Sequence, residues 1–157
     1  MADDLEKRVE RLEQRVRELA DRDAIRELTA EYCRCVVRAD RVGVVGLFTP
    51  DASLETHFPA GSGQADVVTS GIAGLQKAYD GISGMALKPT VHNHILELDG
   101  DRARGFCSVE IRLAQSGVAY TGAGHYEDTY RRVGGRWKFE RRELFVYHWV
   151  PLEKGWA

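Results

Sequence analysis

Residues 90–113 read TVHNHILELDGDRARGFCSVEIRL, and this stretch decides the fold class. Apolar and polar residues alternate through 90–98 and again through 103–113, which is the pattern of strands with one buried face. The Asp-Gly-Asp triplet between the two runs is typical of a tight turn, so the stretch predicts a β-hairpin. Two further runs with the same period follow, at 118–132 and 136–150. The chain from Thr90 onward therefore predicts an antiparallel meander of four strands.

The residues before Thr90 show mainly helical periodicity. A stripe of Ile25, Leu28, Tyr32 and Val36 predicts a helix that ends near Val37. Either Asp21 or Asp23 is a suitable N-cap for this helix. Beyond it, the patterns predict a short helix over 42–48, a strand over 52–58 and a helix over 71–79. Helices followed by a meander indicate an α+β domain, in which a curved sheet wraps around three N-terminal helices.

The first 20 residues carry a separate pattern. Their apolar residues are spaced four, three, four and three apart, at Leu5, Val9, Leu12, Val16 and Leu19. This heptad spacing predicts an N-terminal helix over 1–20 that precedes a domain over 21–157. Two interpretations remain open for this helix: it assists an oligomer interface, or it lies across its own domain as a solvated amphipathic extension.

Composition excludes several classes of partner. The chain has 157 residues, of which 43% are apolar, with a formal net charge of -2. Such a chain lacks the clustered positive charge that nucleic acid requires, and its apolar runs are too short for a membrane span. The charged N-terminus has no signal-peptide core, so we expect a cytoplasmic protein with no nucleic-acid or membrane partner. Cys33, Cys35 and Cys107 are expected to be reduced thiols of the core.

Two histidines fall on one apolar face of the predicted strand over 90–98. His92 and His94 have the same parity as Leu96 and Leu98. Imidazole titrates near neutral pH, so a histidine on the wall of a pocket can act as general acid or base. We expect at least one of the two to do so. The alternative is a pair of strand-end histidines bonded to the backbone.

The last predicted strand places a cation on an apolar face. Arg142 has the parity of Leu144 and Val146, and alternation places Trp137 and Phe139 on the opposite side. A cation in apolar surroundings needs a partner or a ligand. We expect Arg142 either to stabilise negative charge in a pocket or to pair with a buried carboxylate.

Tyr32 completes the predicted catalytic group, because its helical stripe faces the interior. Its hydroxyl can donate a hydrogen bond to a substrate, or it can be a satisfied core group. Residues of mixed polar type that converge from different elements suit acid–base chemistry on a small organic molecule. The side chains expected to bind the substrate are Glu110, His125, His148 and Tyr79.

No motif in the chain predicts a cofactor or a metal. Gly122-Ala123-Gly124 precedes a strand pattern and not the start of a helix, so it is not a phosphate-binding loop. The spacing of His92 and His94 could serve zinc, but no third ligand has an obvious place in the sequence. We therefore expect chemistry without either.

Short motifs follow one another along nearly the whole domain, in the order Asp23-Ala24-Ile25-Arg26-Glu27-Leu28, Tyr32-Cys33, Asp40, Leu47-Phe48-Thr49-Pro50-Asp51-Ala52, Leu98-Asp99-Gly100-Asp101-Arg102-Ala103, Gly124-His125-Tyr126-Glu127-Asp128 and Trp137-Lys138-Phe139-Glu140-Arg141-Arg142. In this order they resemble the SnoaL-like proteins, in the superfamily of nuclear transport factor 2, scytalone dehydratase and ketosteroid isomerase. The resemblance implies a cone-shaped α+β barrel with an internal pocket, assembled as a homodimer or homotrimer.

The resemblance also implies roles for particular positions. Tyr32 and Arg142 match the tyrosine and arginine of dehydratase-like members. The aspartate that normally pairs with a histidine is Val37 here, and the usual histidine position falls at Pro89. Either Glu110 or Glu127 is a candidate replacement for the missing carboxylate. The base of the isomerase type falls at Thr56, which cannot abstract a proton, so ketosteroid isomerase chemistry is disfavoured.

Two functional hypotheses follow. The first is a cofactor-independent dehydratase, isomerase or cyclase that acts on a small hydrophobic oxygenated metabolite such as a polyketide, terpenoid or steroid intermediate. In it, His92 or His94 is the acid or base, Tyr32 binds the substrate oxygen and Arg142 stabilises developing charge. The second is a non-catalytic module of the same fold that binds a small molecule or a partner chain.

Overall fold

The structure is a computed structural model that describes residues 2–82 and 84–154. Met1, Ser83 and residues 155–157, which the predicted segments 1–20 and 21–157 include, lie outside the described residues. The helices are α1 (Ala2–Val37), α2 (Arg41–Gly46) and α3 (Gly71–Gly81), and a short 3-10 turn covers Leu152–Lys154. The strands are β1 (Phe48–His57), β2 (Val67–Ser70), β3 (Lys88–Asp99), β4 (Arg102–Gln115), β5 (Val118–Val133) and β6 (Arg136–Pro151).

The strands form a six-stranded sheet in the order β2-β1-β6-β5-β4-β3. Strand β1 runs parallel to β6, and the other neighbouring pairs are antiparallel. The sheet is open, with β2 and β3 at its edges. Its inner face packs on all three helices through a core that includes Ile25, Leu75 and Phe139. The predicted α+β class and the predicted meander are confirmed.

Helix α1 is continuous through the predicted break at residues 21–23. Neither Asp21 nor Asp23 caps a helix there, so that part of the prediction is wrong. Asp21 instead accepts a hydrogen bond from Trp137 Nε1 at 3.1 Å and pairs with Arg132 at 2.7 Å. Because these partners lie on β5 and β6, Asp21 ties the middle of α1 to the sheet.

A β-bulge in β3 separates the two histidines. Between the pairs His92–Ser108 and Ile95–Phe106, two residues of β3 stand opposite one of β4. Asn93, inside the bulge, has a φ of 54°, a conformation that asparagine tolerates better than most residues. The extra residue reverses the alternation of faces. His92 is consequently exposed while His94 lies half-buried beside Leu96, and the prediction that both face inward is wrong for His92.

Two further irregularities in β6 bring more residues to its inner face than alternation predicts. The register shifts between the pairs Thr129–Arg141 and Tyr130–Phe139, and again at Ala123–His148 and Gly124–Val146. Trp137 and Phe139 are therefore buried on the same side as Arg142, and not opposite it as predicted. This arrangement gives Arg142 aromatic neighbours from its own strand.

Two smaller differences concern the segment between α1 and α3. Helix α2 ends at Gly46, and Phe48, predicted as its last residue, begins β1. The edge strand β2 was not predicted, because four residues are too few to show a period of two.

Within the described residues, no helix combines the length and the hydropathy needed to cross a bilayer.

Candidate active site

An apolar pocket of about 460 Å³ lies between α3 and the inner face of the sheet. Its wall is mainly aliphatic and aromatic and includes Leu54, Ala78, Ile111, Leu144 and Trp149. A pocket of this size and lining suits a small organic molecule. None of the described residues that line it is a histidine, aspartate, glutamate, lysine or arginine.

The polar residues of this apolar pocket are three tyrosines, two threonines (Thr56 and Thr69) and two glutamines (Gln64 and Gln115). Tyr32, Tyr79 and Tyr126 all line it, and the Tyr79 hydroxyl donates to the Tyr32 hydroxyl at 3.2 Å. With Tyr79 as donor, the hydroxyl hydrogen of Tyr32 is available to a ligand oxygen. Burial raises the pKa of all three phenols, which therefore stay protonated at neutral pH. The pocket thus offers hydrogen-bond donors in apolar surroundings.

The guanidinium of Arg142 lies directly behind two of these rings. Its Cζ is 4.1 Å from the ring centroid of Tyr32 and 3.7 Å from that of Tyr126. Arg142 is fully buried and does not itself line the pocket. Its charge reaches the pocket through the tyrosine rings, and it partly opposes the effect of burial on the pKa of Tyr32.

The buried charge is balanced by Asp128 of β5. Arg142 Nε lies 3.2 Å from Asp128 Oδ1, and Arg142 Nη2 lies 3.3 Å from Asp128 Oδ2. Burial alone would lower the pKa of Arg142, but the Asp128 carboxylate and the surrounding phenols together hold it well above its ordinary value. Burial also raises the pKa of Asp128 to about 6, against the opposing influence of Arg142. Both groups carry charge at pH 7.

Tyr130 links this ion pair to His94. The Tyr130 hydroxyl donates to Asp128 Oδ2 at 2.9 Å, and His94 Nε2 lies 3.2 Å from the same hydroxyl. Since Tyr130 donates to the carboxylate, its oxygen accepts from His94 Nε2–H. Burial, with the charges of Arg142 and Arg26, lowers the pKa of His94 to about 4. The result is a neutral histidine at one end of a buried chain that ends at Arg142.

The structure brings together three of the four predicted catalytic residues, in two layers. Tyr32 reaches the pocket, Arg142 lies behind it, and His94 joins the network through Tyr130. His92 is exposed and takes no part in this cluster. Among the described residues, neither histidine lines the pocket.

Of the residues predicted to bind substrate, Tyr79 alone lies in the pocket wall. Glu110 is exposed on the other side of β4. His125 belongs to the outer face of the sheet, where its ring stacks on Phe106 and Phe145 at centroid distances of 5.0 and 4.8 Å. His148 pairs with Ala123 in the sheet and is likewise not in the pocket lining.

Three residues of the site escaped the sequence analysis, and a usable signal existed for them. Tyr126, Asp128 and Tyr130 alternate along β5 and share its inner face. Alternation over residues 124–130 puts these three residues on one face and His125 on the other, and the two tyrosines are the signal that their face is buried. Tyr130 links His94 to the Asp128 carboxylate, whereas Glu110 and Glu127, the candidates for the carboxylate missing at Val37, are exposed.

The glycines of the Gly122-Ala123-Gly124 motif have a packing role. A Cβ at Gly122 would lie 2.5 Å from the ring of Trp149, and one at Gly124 would lie 2.2 Å from the carbonyl oxygen of Phe145. Both distances are shorter than any real contact of a Cβ atom. The motif therefore allows β6 to bend closely over β5 beside the pocket.

One group of residues on the outer face has ligand atoms close enough for a metal ion. Atoms of Glu55, His57 and Glu143 all lie within 4.8 Å of one another. However, Arg141 Nε lies 2.7 Å from Glu55, and Arg141 Nη2 lies 2.8 Å from Glu143. One guanidinium thus already contacts both carboxylates, so we assign this group to an ion-pair cluster.

Comparison with known proteins agrees with this arrangement of helices, sheet and pocket. The family model described as SnoaL-like domain matches residues 17–143. This chain belongs to the SnoaL-like domain family. No curated protein matches the sequence.

Solved structures share the fold of this SnoaL-like domain at low identity. Rv3472 of Mycobacterium tuberculosis, described as of unknown function, is 24% identical, with a TM-score of 0.72 over 83% of this chain and 73% of its own. An NTF2-like protein with a cystatin-like fold from Novosphingobium aromaticivorans is 24% identical, with a TM-score of 0.67 over 87% and 88%. A hexachlorocyclohexane dehydrochlorinase from Novosphingobium barchaimii is 21% identical, with a TM-score of 0.70 over 85% and 91%. These likenesses establish the cone-like fold and leave the reaction open.

Proposed function

We propose that this SnoaL-like domain is a cofactor-independent enzyme of the lyase or isomerase type that acts on a small hydrophobic molecule bearing a carbonyl or hydroxyl oxygen. The observation that carries the proposal is the contact of Arg142 with Tyr32. A phenol that lines an apolar pocket has a buried cation 4.1 Å behind its ring. This combination suits stabilisation of negative charge on a substrate oxygen.

Tyr32 would act as the hydrogen-bond donor to that oxygen. Tyr79 donates to the Tyr32 oxygen, which leaves the Tyr32 hydrogen free to bond a ligand oxygen. As electrons move onto the substrate oxygen, the hydrogen bond from Tyr32 strengthens and the field of Arg142 favours the new charge. Preorganised donors in a dry site are effective because they need no reorganisation during the reaction.

The proton lost from the substrate carbon has no histidine or carboxylate to receive it in the described pocket wall. The proposal therefore favours substrates whose C–H bond becomes acidic once the neighbouring oxygen is polarised. A water molecule in the pocket would take this proton. The resulting enolate would either regain a proton at another carbon, which completes an isomerisation, or expel a β-hydroxyl group that leaves with that proton as water, which completes a dehydration. His94 and Asp128 would act as positioning residues, because their network holds Arg142 against the two tyrosine rings.

The same absence of a base from the described wall favours a second function, a binding module that returns its ligand unchanged. In that case Tyr32 and Tyr79 would recognise the ligand oxygen without catalysis. The two functions share one pocket and differ in whether a substrate C–H bond is broken.

A set of three ten-carbon probes separates these functions. Binding of α-tetralone, 1-tetralol and tetralin can be measured by thermal shift and calorimetry, and deuterium uptake at the α-carbon of the tetralone in D₂O by NMR. We expect the ketone to bind more tightly than the hydrocarbon and its exchange to be accelerated. Ketone binding without accelerated exchange would support the binding module, and absence of binding by all three would contradict both functions.

Two variants locate the effect in the pocket. Tyr32→Phe should weaken ketone binding by roughly three- to tenfold, the value of one neutral hydrogen bond, and leave tetralin unchanged. Ala78→Phe is the matched control that fills the pocket without altering a polar group, and it should weaken all three probes. Equal ketone affinity of the Tyr32→Phe protein and the unaltered protein would contradict the role of Tyr32.

A further inference from the structure

The first half of α1 carries an apolar stripe that its own domain does not cover. Its five residues are between 45% and 64% exposed: Leu5, Val9, Leu12, Val16 and Leu19. The spacing of four, three, four and three residues is that of the a and d positions of a coiled coil, with valine at a and leucine at d. Exposed apolar residues with this regularity indicate a helical partner.

The direction of the stripe excludes its own domain as that partner. Helix α1 runs without interruption from Ala2 to Val37, so the faces of its two halves can be compared directly. At 3.6 residues per turn, the stripe over 5–19 lies roughly 170° from the core-facing residues Ile25, Leu28 and Tyr32. The apolar seam therefore points away from the sheet. The match to the SnoaL-like domain begins at residue 17, so most of this seam is an addition to the family domain.

The charges beside the seam select the orientation of the partner. Arg8 and Arg15 each precede a valine of the seam, at g positions, while Glu6 and Glu13 each follow a leucine, at e positions. In a parallel pair, position g of one helix faces position e of the next heptad in the other, so Arg8 meets Glu13 of the second copy. An antiparallel pair would instead place arginines opposite arginines and glutamates opposite glutamates.

We propose that residues 5–19 of α1 pair with the same residues of a second copy of this chain, as a parallel two-stranded coiled coil. Valine at a and leucine at d favour two strands in parallel. Little more than two heptads form a marginal coiled coil as a free peptide. Here the helix is already formed and held by the domain from Asp21 onward, which removes much of the cost of ordering it.

The oligomeric state of the full chain tests the proposal. Sedimentation velocity over a range of concentrations should show a dimer, and Leu12→Glu should shift it to monomer without loss of helical circular dichroism. Because Leu12 is 57% exposed, this change does not disturb the domain core. A monomer at all concentrations would overturn the proposal, and so would an oligomer that Leu12→Glu leaves intact.

Charge variants test the parallel register. Arg8→Glu should weaken the dimer roughly fivefold, because two attractive pairs become repulsive, and the double variant Arg8→Glu/Glu13→Arg should restore it. Arg11→Glu, the same change away from the seam, is the matched control and should have no effect. Failure of the double variant to restore the dimer would contradict the proposed register.

A cross-link tests the orientation directly. Under oxidation, Leu5→Cys should give a covalent dimer, since a parallel pair places the two copies of position 5 side by side. An antiparallel pair places position 5 near position 19 of the other copy and would not cross-link. The unaltered protein, with its three native cysteines, is the control. A Leu5→Cys protein that cross-links no more than this control would contradict the parallel orientation.

Discussion

Two consecutive arginines on β6 show how differently the two faces of the sheet use the same side chain. Arg141 points to the outer face, is 48% exposed, and pairs with Glu55 at 2.7 Å. Arg142 points to the inner face, is 0% exposed, and pairs with Asp128 at 3.2 Å. Outside, water and Glu143 also solvate Arg141, although the Glu55 side chain is only 12% exposed. Inside, the Asp128 carboxylate and three aromatic rings surround Arg142.

The outer ion pair can lose one partner at little cost in stability, whereas the inner pair cannot. The outer pair contributes little, because Arg141 keeps its water and its contact with Glu143 when Glu55 loses its charge. A buried pair contributes little relative to an apolar core, but the loss of one partner leaves an unpaired charge in the interior. We infer that the buried charge of Arg142 is retained for its effect on Tyr32 and Tyr126, and not for stability.

The largest expected effect comes from neutralising each carboxylate in turn. Asp128→Asn should lower the free energy of unfolding by about 3–5 kcal/mol, because Arg142 stays charged and unpaired in the core. Glu55→Gln, the equivalent change on the outer face, should cost less than about 1 kcal/mol. Urea denaturation followed by fluorescence measures both. Similar losses in the two variants would mean that Arg142 is not isolated from water as described.

A smaller effect is expected when the charge is kept and the shape is changed. Arg142→Lys retains a cation beside Asp128 but loses the planar group that lies against Tyr32 and Tyr126. A desolvated cation–π contact is worth about 2 kcal/mol, so a loss of about that size is expected. Arg141→Lys should change the free energy of unfolding by less than about 0.5 kcal/mol. An Arg142→Lys protein as stable as the unaltered one would show that the planar contacts contribute nothing.

Much of the fold could be predicted from periodicity alone. The period of two over residues 90–150 predicts four strands, and their order in the sheet follows from short turns. The SnoaL-like resemblance of the motifs is confirmed by the family match over 17–143. Long, regular segments are predictable because every turn or pair of residues repeats the same signal.

The site was less predictable because it depends on irregularities. Strand alternation places His92 and His94 together, yet the bulge at Asn93 turns His92 to solvent. The shift near Glu140 brings Phe139 to the same face as Arg142. A single extra residue moves the following side chains to the opposite face of the strand, and the sequence signal for it is weak. In β3 the main clue is the residue type of Asn93, which tolerates the positive φ found there. Tyr32 and Arg142 were identified because helix α1 and the motif around Trp137 do not depend on counting through a bulge.

The smallest expected effect concerns pH, and its sign differs between an inner and an outer histidine. Burial lowers the pKa of His94 to about 4, so the unfolded chain binds the proton more readily. His94 therefore favours the folded state above about pH 6.5, and this contribution is lost as the pH falls towards 4. On the outer face, a hydrogen bond to Asp66 raises the pKa of His57, with Glu143 acting in the same direction. That histidine favours the folded state below about pH 6.5, and its contribution disappears as the pH rises through the raised pKa.

Replacing His94 and replacing His57 should thus change the pH dependence of the free energy of unfolding in opposite directions. As the pH falls from 8 to 5, the His94→Gln protein should gain stability relative to the unaltered protein, whereas the His57→Gln protein should lose it. Denaturant titrations at several pH values and constant ionic strength measure both differences, so the carboxylates common to all three proteins largely cancel. If the two profiles ran parallel, the environments of the inner and outer histidines would be alike, and burial beside Arg142 and Arg26 would not hold His94 neutral.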